Sequence, residues 1–191
     1  MLQKIRDMLL MDSHVCPSWL SFSLNNGIRK MFHDPEKIFS PWIKKGDTVL
    51  DIGCGPGYFT IPLAKMVGEN GKVIAVDIQD RMIEKLKRNL EKNDLRNRVN
   101  IIKARKDDIL VDQKVDFALS FWMVHEVGNP DLLFKQVMNT LKPGAYYAVV
   151  EPKFHVILSR YNHIVKVAES CGLKQVSTLD VRFSRGTLFT L

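Results

Sequence analysis

Between residues 48 and 60 the sequence runs from an apolar, strand-like stretch into three glycines set two apart, Asp51-Ile-Gly-Cys-Gly-Pro-Gly-Tyr58. No other segment restricts the fold as strongly. Residues 48–52 read as a strand and 58–67 as a helix, with Pro62 tolerated if it falls in the first turn, where amide groups lack partners. Glycines at 53, 55 and 57 let the chain reverse sharply between the two and let a ligand approach the main chain closely. The helix behind them directs its unpaired N–H groups and the positive end of its dipole into the same space. Two acids flank the turn. Asp51 sits at the exit of the first strand, where burial is costly without a cationic or hydrogen-bonding partner. Asp77 ends the next strand, 20 residues after Gly57, where an acid can take both hydroxyls of a ribose.

Downstream, β-branched runs alternate with segments of helical period, the pattern of an α/β fold around a mostly parallel sheet. Strands are expected at 72–77, 99–104, 115–121, 145–150, 173–179 and 187–191, making seven with the first. A helix over 80–92 places Met82, Ile83, Leu86 and Leu90 on one face. Asn129-Pro130 caps and starts another, in which Leu133, Val137 and Leu141 recur every four residues. A third spans 159–171, with Tyr161, Ile164, Val165 and Ala168 inward and Gly172 as its stop. The part before Pro41 stands apart: 1–11 and 22–32 read as helical, punctuated by Pro17, Pro35 and Pro41. The expected organisation is one domain over 1–191, with residues 1–36 a helical collar or lid and 37–191 the cofactor-binding core.

The chain has 191 residues, 46% hydrophobic and 26% charged, which excludes a disordered, collagenous or disulfide-scaffold class. Cys16, Cys54 and Cys171 are odd in number and unrelated in spacing, which fits free thiols in a reducing compartment. The N-terminal dozen residues carry Lys4, Arg6 and Asp7 with no signal-peptide pattern, and no apolar stretch reaches the ~20 residues of a membrane span. A cytoplasmic location is the expectation. The net charge is +7, and the excess concentrates between Arg81 and Lys106. That stripe suits either a solvated helix and loop or a nucleic-acid footprint; without interleaved aromatic residues to stack on bases, the solvated face is favoured.

The stretch Val49-Leu-Asp-Ile-Gly-Cys-Gly-Pro-Gly-Tyr-Phe-Thr60 resembles the first motif of class I S-adenosylmethionine-dependent methyltransferases. Val73-Ile-Ala-Val-Asp77 is similar to their second motif, and Leu141-Lys-Pro-Gly144 to their loop before the fifth strand. The resemblance covers residues 37–191. It implies a Rossmann-like seven-stranded sheet with helices on both faces and the last strand antiparallel, and S-adenosyl-L-methionine as cofactor. Carried over by position, Gly53, Gly55 and Gly57 pass the methionine part, Asp51 helps hold its α-ammonium, Asp77 clamps the ribose and Ile78 covers one face of the adenine. Tyr58 and Ser120 complete the expected cofactor set. The family's third strand leads into a Gly-Asp pair at the adenine; here those positions read Ala104-Arg105, so Asp107 from the next turn, or backbone groups, would serve. A nicotinamide dinucleotide is the rival ligand, disfavoured by the Asp-x-Gly-x-Gly-x-Gly spacing.

Ligands of an open α/β sheet collect outside the carboxyl ends of the strands. Phe121-Trp-Met-Val-His-Glu126 follows the fourth strand and Glu151-Pro-Lys-Phe-His155 the fifth, so His125, Glu126, Glu151, Lys153 and His155 are expected near the transferred methyl, with Trp122 and Met123 as walls. His125, Glu126 and His155 are the candidate catalytic groups, able to take a proton from an acceptor. His14, Cys16, His125, Glu126 and His155 lack recognisable ligand spacing, so no metal is expected. The fourth strand ends in Ser120-Phe-Trp-Met123 rather than the Asn/Asp-Pro-Pro-aromatic motif of exocyclic-amine enzymes. No Pro-Cys nucleophile follows it, and no large insertion interrupts strands five to seven. A small-molecule acceptor is therefore the leading reading. An RNA or protein methyltransferase using the stripe from Arg81 to Lys106 is the alternative, and a non-catalytic cofactor-binding regulator a third.

Overall fold

The computed structural model describes residues 33–191. The expected helices at 1–11 and 22–32, His14 and Cys16 lie outside the described residues. A five-residue helix α1 (Pro35–Phe39) opens the described chain, capped by the Asp34 carboxylate on the Glu36 N–H. It is followed by β1 (Thr48–Ile52), α2 (Thr60–Met66), β2 (Lys72–Asp77), α3 (Asp80–Lys92), β3 (Val99–Lys103) and β4 (Val115–Phe121). A one-turn 3-10 helix (Val124–Glu126) leads to α4 (Pro130–Thr140), β5 (Leu141–Pro152), α5 (Leu158–Ser170), β6 (Lys174–Leu179) and β7 (Ser184–Thr190).

The seven strands form one sheet in the order β3-β2-β1-β4-β5-β7-β6. All neighbours are parallel except that β7 runs antiparallel to both β5 and β6, as expected for the last strand. Strand residues alternate between faces. Val49, Val73, Ala75, Phe117 and Leu119 point to the side covered by α1, α2 and α3, where Phe39, Leu63, Leu86 and Leu90 bury against them. Leu50, Ile74, Val76, Ala118 and Tyr147 point to the other, covered by Leu133, Phe134 and Val137 of α4 and Ile164 and Ala168 of α5. The inward face expected for α3 is buried at all four positions.

Three differences from the sequence reading have local causes. The boundary between residues 36 and 37 falls inside α1, whose Phe39 is fully buried against Phe59 and Phe117; the helix belongs to the core but is too short to show a period. The Leu141–Gly144 stretch is not a loop ahead of β5 but its beginning. Leu141 pairs with Val115, the register then shifts, and Tyr146 stands opposite Phe117, the kink falling at Gly144 with φ of 78°. β7 begins at Ser184 rather than 187, because Ser184 and Arg185 pair with Pro152 and Glu151. Between β3 and β4 the sheet is sealed by a loop: Ile109 is buried there, and Gln136 of α4 accepts from the Ile109 N–H at 3.0 Å and donates to the Asp107 carbonyl at 2.7 Å.

Candidate active site

Chain direction across the sheet reverses between β1 and β4, since β2 and β3 lie to one side of β1 and β4 and β5 to the other. A crevice forms outside the carboxyl ends at such a point, and the glycine turn fills its floor. The Gly53 and Cys54 N–H groups both donate to the Val76 carbonyl, at 2.8 and 3.0 Å, fastening the turn to the end of β2. Gly53 has φ of 71°, and a Cβ there would stand 2.9 Å from the Met123 side chain. At Gly57, φ of 94°, a Cβ would stand 2.5 Å from Leu86 Cδ1. Both positions demand glycine, for conformation and for space. Nothing lies within 4 Å of a Cβ built on Gly55, so this face of the turn is open.

Three buried acids stand at or next to the carboxyl ends of β1, β2 and β5. Asp51 of β1 is 2% exposed and accepts from the Thr60 hydroxyl at 2.6 Å. Burial pushes its carboxyl up to about 7; the Thr60 hydrogen bond opposes the rise and the Asp77 charge adds to it. Asp77 of β2 accepts from the Gly55 N–H on Oδ2 and the Gln79 N–H on Oδ1, both at 2.8 Å. Burial raises its carboxyl as well, against the pull of those backbone donors. Each carboxylate oxygen has a second lone pair for a hydroxyl donor. Ile78, next along, is exposed, an apolar surface beside Asp77.

The third acid is Glu151, near the end of β5 and fully buried. Its Oε1 accepts from the Val124 and His125 N–H groups at 2.9 and 3.3 Å, and its Oε2 is hydrogen-bonded to His125 Nδ1. His125 is therefore gripped by ring and backbone in the 3-10 turn after β4, with the Arg160 guanidinium on its carbonyl at 2.8 Å. Its Nε2 lies 3.9 Å from Glu126 Oε1. The His155 ring is 4.9 Å away, edge to face; burial, then the charge on His125, lowers its proton affinity. The structure thus brings the three candidate catalytic residues together. Sequence reading placed Glu151 among the converging groups but missed its role as the holder of His125. The available signal was an acid directly after the uncharged run Ala145–Val150.

Trp122 lies in the left-handed region with φ of 61°, its indole N–H on the Ser184 hydroxyl at 2.9 Å and its ring against Phe121, Phe154 and His33. Trp122 and Phe154 give the acceptor side an aromatic rim, with the buried His33 behind it. Two other expected cofactor residues are turned elsewhere. Ser120 is fully buried, its hydroxyl 2.8 Å from that of Tyr147, because position 120 shares the face of β4 that packs on α4 and α5. Tyr58 donates its hydroxyl to the His33 carbonyl at 2.8 Å. Asp107 is exposed in a tight turn closed by Arg105 and Asp108. Cys54 is buried and Cys171 lies against Asp131. Among the described residues no group of three His, Cys, Asp or Glu side chains is arranged to hold a metal, and no helix is long and apolar enough to cross a membrane. The basic stripe follows α3 and β3, on the flank away from β4 and β5.

The turn fits S-adenosylmethionine on its own geometry: an under-partnered buried carboxyl for the ammonium, an acid at the ribose position and an open face at Gly55. The comparisons agree. A family model described as a methyltransferase domain matches residues 43–181. A solved S-adenosylmethionine-dependent methyltransferase from Aquifex aeolicus superposes with a TM-score of 0.83 at 27% identity, over 92% of this chain and 98% of that one. Demethylmenaquinone methyltransferase of Lactobacillus johnsonii is 29% identical over 136 residues, 69% of this chain and 52% of the relative. A ubiquinone/menaquinone biosynthesis C-methyltransferase of Haemophilus ducreyi is 29% identical over 124 residues, 63% of this chain and 48% of the relative. The chain spans about half the length of these two curated relatives. With its glycine turn, Asp51 and Asp77 at the ends of their strands and its sheet order all in place, the chain belongs to the methyltransferase-domain family, with the class I S-adenosylmethionine-dependent fold.

Proposed function

We propose that the protein transfers a methyl group from S-adenosylmethionine to a small, planar, largely apolar acceptor, in the cytoplasm. The observation that carries this reading is the His125–Glu151 pair beneath an aromatic rim. S-adenosylmethionine supplies an electrophilic methyl group on a sulfonium centre. Asp51 would meet its ammonium and Asp77 its ribose, while the backbone of Gly53 to Gly57 lies along the methionine part. The protein's other task is to seat the acceptor and take its proton. Glu151 accepts the Nδ1 proton of His125, which leaves Nε2 as the basic nitrogen, and with Glu126 alongside the site can hold the proton once removed. Trp122 and Phe154 offer ring faces and edges to a flat acceptor. Two relatives named for quinone-pathway methylation support acceptors of that kind, and buried Cys54 is in keeping with a reducing compartment.

The test is S-adenosylhomocysteine release over a panel of phenols, quinols and thiols, repeated with His125→Gln. Turnover on the best acceptor should fall by about 10²–10⁴-fold, the usual contribution of a positioned base, while S-adenosylmethionine affinity changes by less than about threefold. An unchanged rate in His125→Gln would overturn the assignment of the base. Turnover on RNA or protein, with none on any small molecule, would overturn the acceptor class in favour of the α3 stripe.

A further inference from the structure

Immediately past the acceptor rim the surface changes character. The chain leaves β5 through a tight turn in which the His155 and Val156 N–H groups both return to the Pro152 carbonyl, at 3.3 and 2.9 Å. Val156 is buried and anchors the turn, but its neighbours are thrown outward: Phe154 is 75% exposed, Ile157 67% and Leu158 56%. The β6–β7 connection joins the same surface, since the Lys153 N–H donates to the Phe183 carbonyl at 2.8 Å. Phe183 is 51% exposed, with the Arg182 guanidinium 5.1 Å above its ring. Scattered exposed apolar side chains are normal, but four large ones on the β5–α5 turn, the first residue of α5 and the β6–β7 turn form a patch that calls for an occupant.

The charge around the patch identifies that occupant. No acid occurs between Pro152 and Ala168, nor between Val181 and Leu191, while Lys153, Arg160, Lys166, Arg182 and Arg185 lie in those stretches. Arg160 and Arg185 are drawn beneath the patch by the His125 and Val156 carbonyls, at 2.8 and 2.9 Å. Of the acids nearest along the chain, Glu151 is buried and Glu126 half-buried, leaving the exposed Asp180 against the five cations. Two copies meeting face to face through this surface would oppose like charges. Exposed aromatic and aliphatic side chains among clustered cations are instead the composition that seats a protein in the headgroup layer of an anionic membrane.

We propose that Lys153, Phe154, Ile157, Leu158, Arg182 and Phe183 form a docking face for an anionic phospholipid bilayer. Binding there is peripheral and reversible, and it opens the aromatic rim toward the lipid. It is read without cofactor or acceptor, so it stands or falls independently of the methyl-transfer proposal.

The experiment is flotation of the full chain with phosphatidylglycerol vesicles and with phosphatidylcholine vesicles, at about 50 mM and about 500 mM salt, a range over which surface charge becomes screened. Wild type should float with the anionic vesicles at least about tenfold more than with the neutral ones, and lose most of that binding in high salt. Ile157→Ser with Leu158→Ser, and separately Lys153→Glu, should each reduce recovery by about tenfold or more, with thermal unfolding and S-adenosylhomocysteine binding kept as evidence of folding. Absence of binding, equal recovery with both lipids, or equal recovery of wild type and variants would overturn the proposal. So would a wild-type dimer that the Ile157/Leu158 pair of substitutions dissolves, which would make the patch an interface between copies.

Discussion

Replacing Asp51 by asparagine should make the ligand-free protein more stable above neutral pH while weakening its hold on S-adenosylmethionine. The carboxyl has an ordinary value of 3.8 and is pushed up to about 7 by burial. A raised folded-state value means that the folded protein binds the proton more tightly than the unfolded chain. Asp51 is therefore neutral and costs nothing below pH ~4, and its penalty grows as pH climbs from there to about 7, beyond which it is constant. That rise corresponds to roughly 4 kcal/mol at pH 8, of which roughly 3 kcal/mol develops between pH 5 and pH 8; relaxation of the site makes these upper limits. The substituted amide would keep an oxygen for Thr60 and carry no charge. For a domain of this size roughly 3 kcal/mol is about 6–12 °C in Tm. Thermal melts of both proteins from pH 5 to pH 8 should thus diverge, with Asp51→Asn gaining on wild type as pH rises. Bound S-adenosylmethionine should stabilise wild type more at pH 8 than at pH 5.5, because its ammonium requires the ionised acid, and should show no such increment with Asp51→Asn. Melts that run parallel across this range would refute the reasoning.

Asp77→Ala should weaken S-adenosylmethionine binding by about 1.5–3 kcal/mol, the scale of charge-assisted hydrogen bonds, measured by titration calorimetry; an unchanged isotherm would remove Asp77 from the ribose clamp. Ser120→Ala separates packing from ligand contact. It strands the Tyr147 hydroxyl in the core at a cost of about 1–3 kcal/mol in chemical denaturation, with S-adenosylmethionine affinity unchanged, whereas a tenfold loss of affinity would return Ser120 to the cofactor set.

What the sequence disclosed and what it hid divide along physical lines. The glycine turn was readable because positive φ at 53, 55 and 57 and close contact at 53 and 57 leave a mark in residue identity itself. The buried face of α3 was readable because 13 residues carry more than three turns of period. By contrast α1 has five residues, and its signal is confined to Asp34 as cap and Pro35 at the first position. Pro143 and Gly144 read as a break, yet β5 runs through them with only a kink at Gly144. Ser120 stands at a strand end, where a polar residue suits the crevice or the covered face equally, and only the cross-strand position of Tyr147 decides. The His125–Glu151 bond depends on the β4–β5 register between residues 26 apart, which no local pattern encodes.

The three strand-end acids show how one environment can assign different tasks to chemically similar groups. Glu151 has two backbone N–H donors and an imidazole; its capacity is spent inside the protein, so it can orient His125 but has little to offer a ligand. Asp77 has two backbone donors and keeps a slight exposure of 6%, which suits a carboxylate meant to accept two more hydroxyls. Asp51 is as buried as either, yet has a single neutral donor in the Thr60 hydroxyl. A buried carboxylate so poorly compensated takes up a proton rather than stay charged, and burial pushes Asp51 to about 7. The same deficit makes it the acid with most to gain from an arriving cation. The ammonium of S-adenosylmethionine would supply the missing partner and release the proton. Proton release on cofactor binding, read as a dependence of binding heat on the ionisation enthalpy of the buffer near pH 6.5, should accordingly be seen with wild type and vanish with Asp51→Asn, and an equal release from both proteins would move the linked proton to another group.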